Sequence, residues 1–140
     1  MKQVTSALLN LAQRLLEHEE GERHDLEGLA DGAERAYQKL HQHLVPLLGP
    51  EGLNILLARA LTLARDSFPI LKGVEADKDG RLKGLHGAAQ GRRLDEATTS
   101  FAAVLANFLG LLVTFIGEDF TLREVREVWP DVALGGTDLA

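Results

Sequence analysis

The chain has 140 residues, the usual size of one domain, and a formal net charge of −6 at pH 7. Leu and Ala together number 44 against 11 Val and Ile, and this balance favours helices over strands. The acidic charge argues against a nucleic-acid partner, and the absence of Cys excludes disulfides, thiol nucleophiles and thiolate metal sites. We therefore expect a single all-α domain.

A first helix is predicted from about Val4 to Glu20, because apolar residues recur there at helical spacing. The stripe is formed by Val4, Leu8, Leu11 and Leu15. Gln, Asn, Arg and Glu interrupt the apolar residues, whereas a secretory signal needs an unbroken apolar middle. The sequence therefore predicts a cytoplasmic protein.

A second helix is predicted from Leu26 to Leu47 by apolar residues that lie seven positions apart. The series consists of Leu26, Ala33, Leu40 and Leu47. Pro46 lacks an amide hydrogen, so we expect the helix to bend or stop there. Gly28 and Gly32 lie four apart and predict close approach of a neighbouring backbone.

Two Pro residues define a third helix, since Pro50 suits a first helical turn and Pro69 marks an end. The next segment, Ile70 to Arg93, contains five Gly and has six Lys or Arg against three Asp or Glu, a net charge of +3. We expect a Gly-rich hairpin or loop there, in which Gly80 supplies the positive φ of a turn.

The same segment contains part of a calcium-loop pattern. Glu75, Asp77 and Asp79 stand at the first, third and fifth positions of such a loop, and Gly80 stands at the sixth. The twelfth position requires a bidentate Glu, but this chain has His86, a ligand that Ca²⁺ disfavours. We therefore retain Glu75, Asp77 and Asp79 only as a partial calcium candidate and predict no metal site.

His41 and His43 are close in sequence, but a helix directs residues two apart to different sides. The acidic run from Glu17 to Asp31 lacks the repeated Glu-x-x-His that di-iron bundles use. Solvated or capping histidines and a polar helix junction are therefore the expected interpretations.

The densest apolar segment, Phe101 to Gly117, predicts the central helix of the fold. Phe101, Phe108 and Phe115 lie seven apart and share one helix face. Asp95 is expected to cap the start of this helix, and Gly117 is expected to end it. The apolar part has sixteen residues, fewer than the roughly 20 that a membrane span requires, so no membrane association is predicted.

A short fifth helix is predicted to begin at Thr121, because Thr121 and Glu124 form a T-x-x-E capping box. Phe120 and Val125 stand where a hydrophobic staple would close over the helix start. Trp129, directly before a Pro, is expected to pack back onto the core and lock the last helix.

Together these elements predict a bundle of four main helices plus a short C-terminal helix, with a Gly-rich hairpin or loop between helices three and four. The bundle domain is expected to span residues 1–132. Residues 133–140 have little apolar content and are expected to form a flexible tail.

The chain contains no Ser-His-Asp order, Walker loop or dinucleotide-binding Gly motif, so the sequence predicts neither an enzyme nor a cofactor. The two seven-residue series, Leu26–Leu47 and Phe101–Phe115, could leave a seam for another copy or a partner helix. We therefore predict a non-enzymatic interaction or regulatory module, of the kind used in signalling, that forms a homodimer.

The alternative is a sensor or carrier bundle that binds a small apolar ligand between its helices. The predicted pocket would be lined by Phe101, Phe108, Phe115 and Trp129. Close packing of the same rings against Leu side chains requires no ligand, so both interpretations stay open at this point.

Overall fold

A computed structural model describes residues 5–132, and 78% of this part of the chain is helical, which confirms the all-α prediction. Its six α-helices are α1 (Ser6–Glu20), α2 (Leu26–Leu48), α3 (Pro50–Ser67), α4 (Leu85–Ala89), α5 (Leu94–Ile116) and α6 (Glu118–Val128). A 3₁₀ helix (Pro69–Gly73) and the strands β1 (Glu75–Ala76) and β2 (Leu82–Lys83) lie between α3 and α4. Val4 and the predicted tail at 133–140 lie outside the described residues.

The helix α5 occupies the centre, and α1, α2, α3 and α6 all pack against it. A Cβ added to Gly110, near the end of α5, would lie 3.4 Å from Leu8, near the start of α1, so these two helices are antiparallel. A short connection makes α1 antiparallel to α2 as well. Consequently α2 ends, α3 begins, α5 ends and α6 begins at the same end of the bundle.

Most residues of the two seven-residue series are buried in the hydrophobic core of the chain itself. Phe101 and Phe108 are buried, and so is Leu40 of the other series. The last member of each series is exposed: Phe115 by 68% and Leu47 by 50%. The expectation that all three Phe rings of α5 face the core is therefore wrong for Phe115, and none of the last four residues of α5 is buried.

By length and composition, α5 alone among the described helices passes as a candidate membrane span. Within its most apolar window, 56% of the residues are buried inside the protein. A core helix passes the same test, and α5 packs against each of the other five described α-helices.

Of the bend or stop expected at Pro46, the stop is wrong, because α2 continues to Leu48. Pro46 lies in the last turn, so only two helical residues follow it. The helix ends at Gly49, whose φ of 82° leaves the helical region and whose N–H donates to the carbonyl of Val45 at 2.8 Å.

The predicted close approach of a neighbouring backbone is confirmed at Gly32, whereas Gly28 lies against side-chain atoms. A Cβ on Gly32 would lie 3.0 Å from the backbone nitrogen of Glu20, so this Gly lets α2 approach the backbone of α1. A Cβ on Gly28 would lie 2.7 Å from Cβ of Arg23, in the segment that connects the two helices.

The predicted cap at Asp95 is wrong, because α5 already begins at Leu94. Asp95 lies inside the first turn, where its carboxylate accepts a hydrogen bond from the N–H of Glu96 at 2.8 Å. A carboxylate in this turn still stabilises the positive end of the helix dipole.

The predicted capping box at Thr121 is also wrong. Gly117, with φ of 89°, ends α5 and is directly followed by the first residue of α6, Glu118. Thr121 therefore lies within α6 and donates its hydroxyl hydrogen to the carbonyl of Gly117 at 2.7 Å. Glu124 does not cap the helix, and its side chain contacts His43 of α2 instead.

The Gly-rich segment contains an antiparallel pair of two-residue strands, in which Glu75 pairs with Lys83 and Ala76 with Leu82. The turn between them includes Gly80, whose φ is 78°. The sequence did not indicate the 3₁₀ helix or α4, which flank this pair.

Candidate functional site

The residues of the predicted apolar pocket do not all lie together. Phe101, Phe108 and Trp129 are each at most 2% exposed and belong to the hydrophobic core, whereas Phe115 is on the surface. The predicted locking of the last helix by Trp129 is confirmed by this burial.

The partial calcium pattern folds as the turn between β1 and β2. Oδ1 of Asp77 accepts hydrogen bonds from the N–H groups of Asp79 and Arg81, both at 2.9 Å. These hydrogen bonds lower the pKa of Asp77, and the one from Arg81 has the largest effect. Glu75 lies in β1, and His86 lies 2.7 Å from Oδ1 of Asp31, a residue outside the pattern. The oxygen of Asp77 thus stabilises its own turn.

The carboxylate of Glu19 is almost fully removed from solvent where α1, α2 and the end of α6 meet. The Glu19 side chain is 3% exposed, and its Oε2 accepts hydrogen bonds from Lys39 Nζ at 2.6 Å and Trp129 Nε1 at 2.8 Å. Arg35 Nε lies 3.5 Å from Oε1. We call these four residues the Glu19 junction.

Two opposing effects act on the pKa of Glu19. Burial raises the pKa, but hydrogen bonds from Lys39 and Trp129 and the charges of Lys39 and Arg35 outweigh burial, so the pKa lies below its usual 4.5. Both carboxylate oxygens have a donor or a cation beside them. The Glu19 junction is therefore typical of a structural lock between helices.

The corner between α5 and α6 presents a different surface. We define the α5–α6 corner as residues 115–120 together with Arg123 and Arg126. Ile116, Phe120 and the two Arg residues line an open depression, next to the exposed ring of Phe115. The guanidinium of Arg123 lies over the Phe120 ring, 4.8 Å from its centre. Apolar and charged groups thus alternate on this surface.

One oxygen at the α5–α6 corner has no partner. Oε1 of Glu118 is shielded from solvent and accepts no hydrogen bond from any described residue. Buried polar atoms are normally paired, so an exception of this kind calls for a physical explanation. A donor supplied by another molecule would satisfy it.

The apolar surface extends from the corner onto α2. His43 in α2 contacts Glu124 in α6. Lys39, which precedes His43 in α2, and Trp129, which follows Glu124, both contact Glu19. The helix α6 therefore runs antiparallel to α2. Leu47 lies one helical turn after His43 in α2, and Phe120 lies one helical turn before Glu124 in α6.

That step is four residues along each helix. The exposed Leu47 therefore lies on the face of α2 that borders Phe120, next to the α5–α6 corner.

Two clusters each bring one His and two carboxylates together. The first consists of Asp31, Glu34 and His86, and the second of His43, Glu124 and Glu127. Each combines residues from two helices that are distant in sequence, so neither cluster could be expected from the sequence. The local signal in each was a pair of carboxylates three residues apart on one helix, Asp31 with Glu34 and Glu124 with Glu127.

Comparison with protein-family models, with curated proteins and with solved structures finds no match to this chain. The function is therefore inferred from the geometry of the described residues. At the α5–α6 corner the fold leaves two features incomplete, an exposed apolar surface and the unpaired oxygen of Glu118.

Proposed function

We propose that this protein is a non-enzymatic helical interaction module that forms a homodimer through the α5–α6 corner. The observation that carries the proposal is the exposed ring of Phe115 beside the unpaired, shielded oxygen of Glu118. An aromatic anchor next to an unsatisfied acceptor is typical of a contact surface. Leu47 and Phe120 enlarge the apolar part of this surface.

A second copy of the chain is the partner that the charges of the corner favour. Glu118 and Asp119 are acidic, and Arg123 and Arg126 are basic, on one small surface. A twofold axis would place the acidic side of one copy against the basic side of the other, while the apolar groups face each other. An Arg of the second copy would then donate a hydrogen bond to Glu118.

A regulatory role in the cytoplasm, without catalysis, is part of this proposal and rests on the sequence. The alternative, a sensor or carrier of a small apolar ligand, has less support. Three of its four proposed pocket residues pack into the core, and Phe115 lies apart from them. Retained ligand mass in a native mass spectrum would favour that alternative.

The test is sedimentation equilibrium of the wild type, Phe115→Ser and Leu94→Ser over a wide range of protein concentration. Leu94 is a matched control because it is an exposed apolar residue at the opposite end of the same helix. We expect a dimer for the wild type and for Leu94→Ser. Phe115→Ser should weaken association by on the order of tenfold or more, since interface anchors contribute about 2 kcal/mol or more.

Two outcomes would contradict the proposal. A wild type that stays monomeric at the highest concentration leaves a different protein as the occupant of the corner. A Phe115→Ser variant that associates as tightly as the wild type moves the dimer contact to another surface.

A further inference from the structure

The second histidine–carboxylate cluster converges on a single nitrogen. Nε2 of His43 lies 2.8 Å from Oε1 of Glu124 and 3.4 Å from Oε2 of Glu127. Glu124 and Glu127 lie on the same face of α6, and His43 projects from α2, which packs against it. One imidazole nitrogen and two carboxylate oxygens therefore surround one point between two helices.

These distances are close to those of a zinc site. With Zn–N and Zn–O bonds of about 2.0–2.2 Å, the ligand atoms of a tetrahedral ion lie about 3.3–3.5 Å apart. The contact of His43 with Glu127 already has this length, and that with Glu124 needs to open by only a few tenths of an ångström. An imidazole with two carboxylates suits Zn²⁺ better than Ca²⁺, which takes oxygen ligands alone.

The burial of the cluster suits an ion that is held by the protein and still open to water. The Glu124 side chain is 6% exposed, so its carboxylate is largely removed from solvent. His43 is 32% exposed and Glu127 56%, which leaves a path for the ion and for a water in the fourth position. A cation between the two carboxylates would also offset their mutual repulsion.

Among the residues that the structure describes, Arg123 is a further charged group that contacts the cluster. Its Nε lies 3.4 Å from Oε2 of Glu124, on the oxygen opposite to the one that faces His43. Because the Arg123 side chain is 62% exposed, its guanidinium can keep this position without entering the space between the three ligands.

The other cluster converges less closely on one nitrogen. His86 presents Nε2 to Asp31 at 2.7 Å but presents Nδ1 to Glu34 at 3.7 Å. The nitrogen of His86 that contacts Asp31 is therefore not the one nearest Glu34, whereas Nε2 of His43 lies close to both of its carboxylates.

We propose that His43, Glu124 and Glu127 form a Zn²⁺ site that links α2 to α6. The ion takes Nε2 of His43 and one oxygen from each Glu, and a water completes the tetrahedron. This inference is independent of the proposed homodimer, since the three ligands come from one chain.

The test is isothermal titration calorimetry of the full chain with ZnCl₂ at near-neutral pH, after treatment with a chelator. The test variants are His43→Gln and Glu127→Gln, and the matched control is His86→Gln in the other cluster. We expect one Zn²⁺ per chain for the wild type and for the control. Each test variant should weaken binding by on the order of 10- to 100-fold or more, because loss of even a supporting group costs that much.

A second measurement covers the case in which His43→Gln unfolds. The imidazole NMR signals of the wild type are followed during the titration, and only those of His43 should shift strongly. The proposal is overturned if the wild type binds no Zn²⁺, if His86→Gln abolishes binding, or if both test variants bind as tightly as the wild type. The last result would indicate adsorption to scattered surface groups.

Discussion

The Glu19 junction and the α5–α6 corner each contain a carboxylate oxygen removed from solvent. Only the oxygen in the Glu19 junction accepts hydrogen bonds from other described residues. Glu19 accepts hydrogen bonds from Lys39 and Trp129, and Arg35 lies beside its other oxygen. Oε1 of Glu118 has no donor among the described residues. The first region therefore holds helices together through satisfied contacts, whereas the second leaves a polar atom unsatisfied, as the proposed dimer contact would require.

The aromatic residues of the two regions differ in the same way. Trp129 is 1% exposed and uses its indole N–H within the chain, while Phe115 is 68% exposed. Substitutions in the Glu19 junction should therefore change folding stability. Substitutions at the α5–α6 corner should change association, and should leave the stability of the dilute monomer nearly unchanged.

The largest effect is expected for Trp129→Ala compared with Phe115→Ala. Removal of the buried indole should lower the free energy of unfolding by about 3–5 kcal/mol. Phe115→Ala should change it by roughly 0.5 kcal/mol or less, because the ring is mostly in solvent. Urea denaturation of dilute protein measures both values. Equal losses in the two variants would remove the distinction between the regions.

A smaller effect is expected for Glu19→Gln compared with Glu118→Gln. Loss of the charged hydrogen bonds in the Glu19 junction should lower the free energy of unfolding by roughly 1.5–3 kcal/mol. Glu118→Gln should cost at most about 1 kcal/mol, since only a favourable charge in the first turn of α6 is lost. Both variants are measured by urea denaturation at the same dilute concentration.

The pH dependence separates these two carboxylates further. The pKa of Glu19 is lower in the folded protein than its usual 4.5, so its ionised form stabilises the fold above pH 4.5. This contribution is lost as the pH falls through the lowered folded-state pKa. Wild-type stability should therefore decrease on acidification by more than that of Glu19→Gln, as thermal melts across this pH range would record. Identical acid sensitivity would mean that Glu19 is not held in its charged form.

The smallest effect is expected for a pair of Gly substitutions. Gly32→Ala should destabilise the fold by about 1–3 kcal/mol, because its Cβ would press on the backbone of Glu20 next to the Glu19 junction. Gly52 in the first turn of α3 has no atom within 4 Å of an added Cβ, so Gly52→Ala should be neutral or slightly stabilising. Thermal melting compares the two. A stable Gly32→Ala variant would show that α1 can move away without loss.

Much of the helical pattern could be predicted from the sequence, since apolar spacing, Pro50 and Gly117 act within a few residues. Errors arose where a local signal competed with a neighbouring one. Thr121 has the residues of a capping box, but Gly117 starts α6 before that box can form. Pro46 cannot donate a helical hydrogen bond, yet α2 continues for two residues after it, until Gly49 ends the helix.

The candidate sites were less predictable than the fold. Glu19 and Trp129 are 110 positions apart, and His43 and Glu124 are 81 apart, so no local pattern links either pair. The exposure of Phe115 could not be derived from its spacing, because its seven-residue series is identical to that of the buried Phe101 and Phe108.

The sequence by itself determined the helical class and the central position of α5, because composition and periodicity decide which surfaces must leave water. The tertiary structure alone decided which carboxylates are paired, which histidine meets them and which end of α5 stays exposed. These properties depend on how helices distant in the chain are aligned, and that alignment is set by the packing of the whole core.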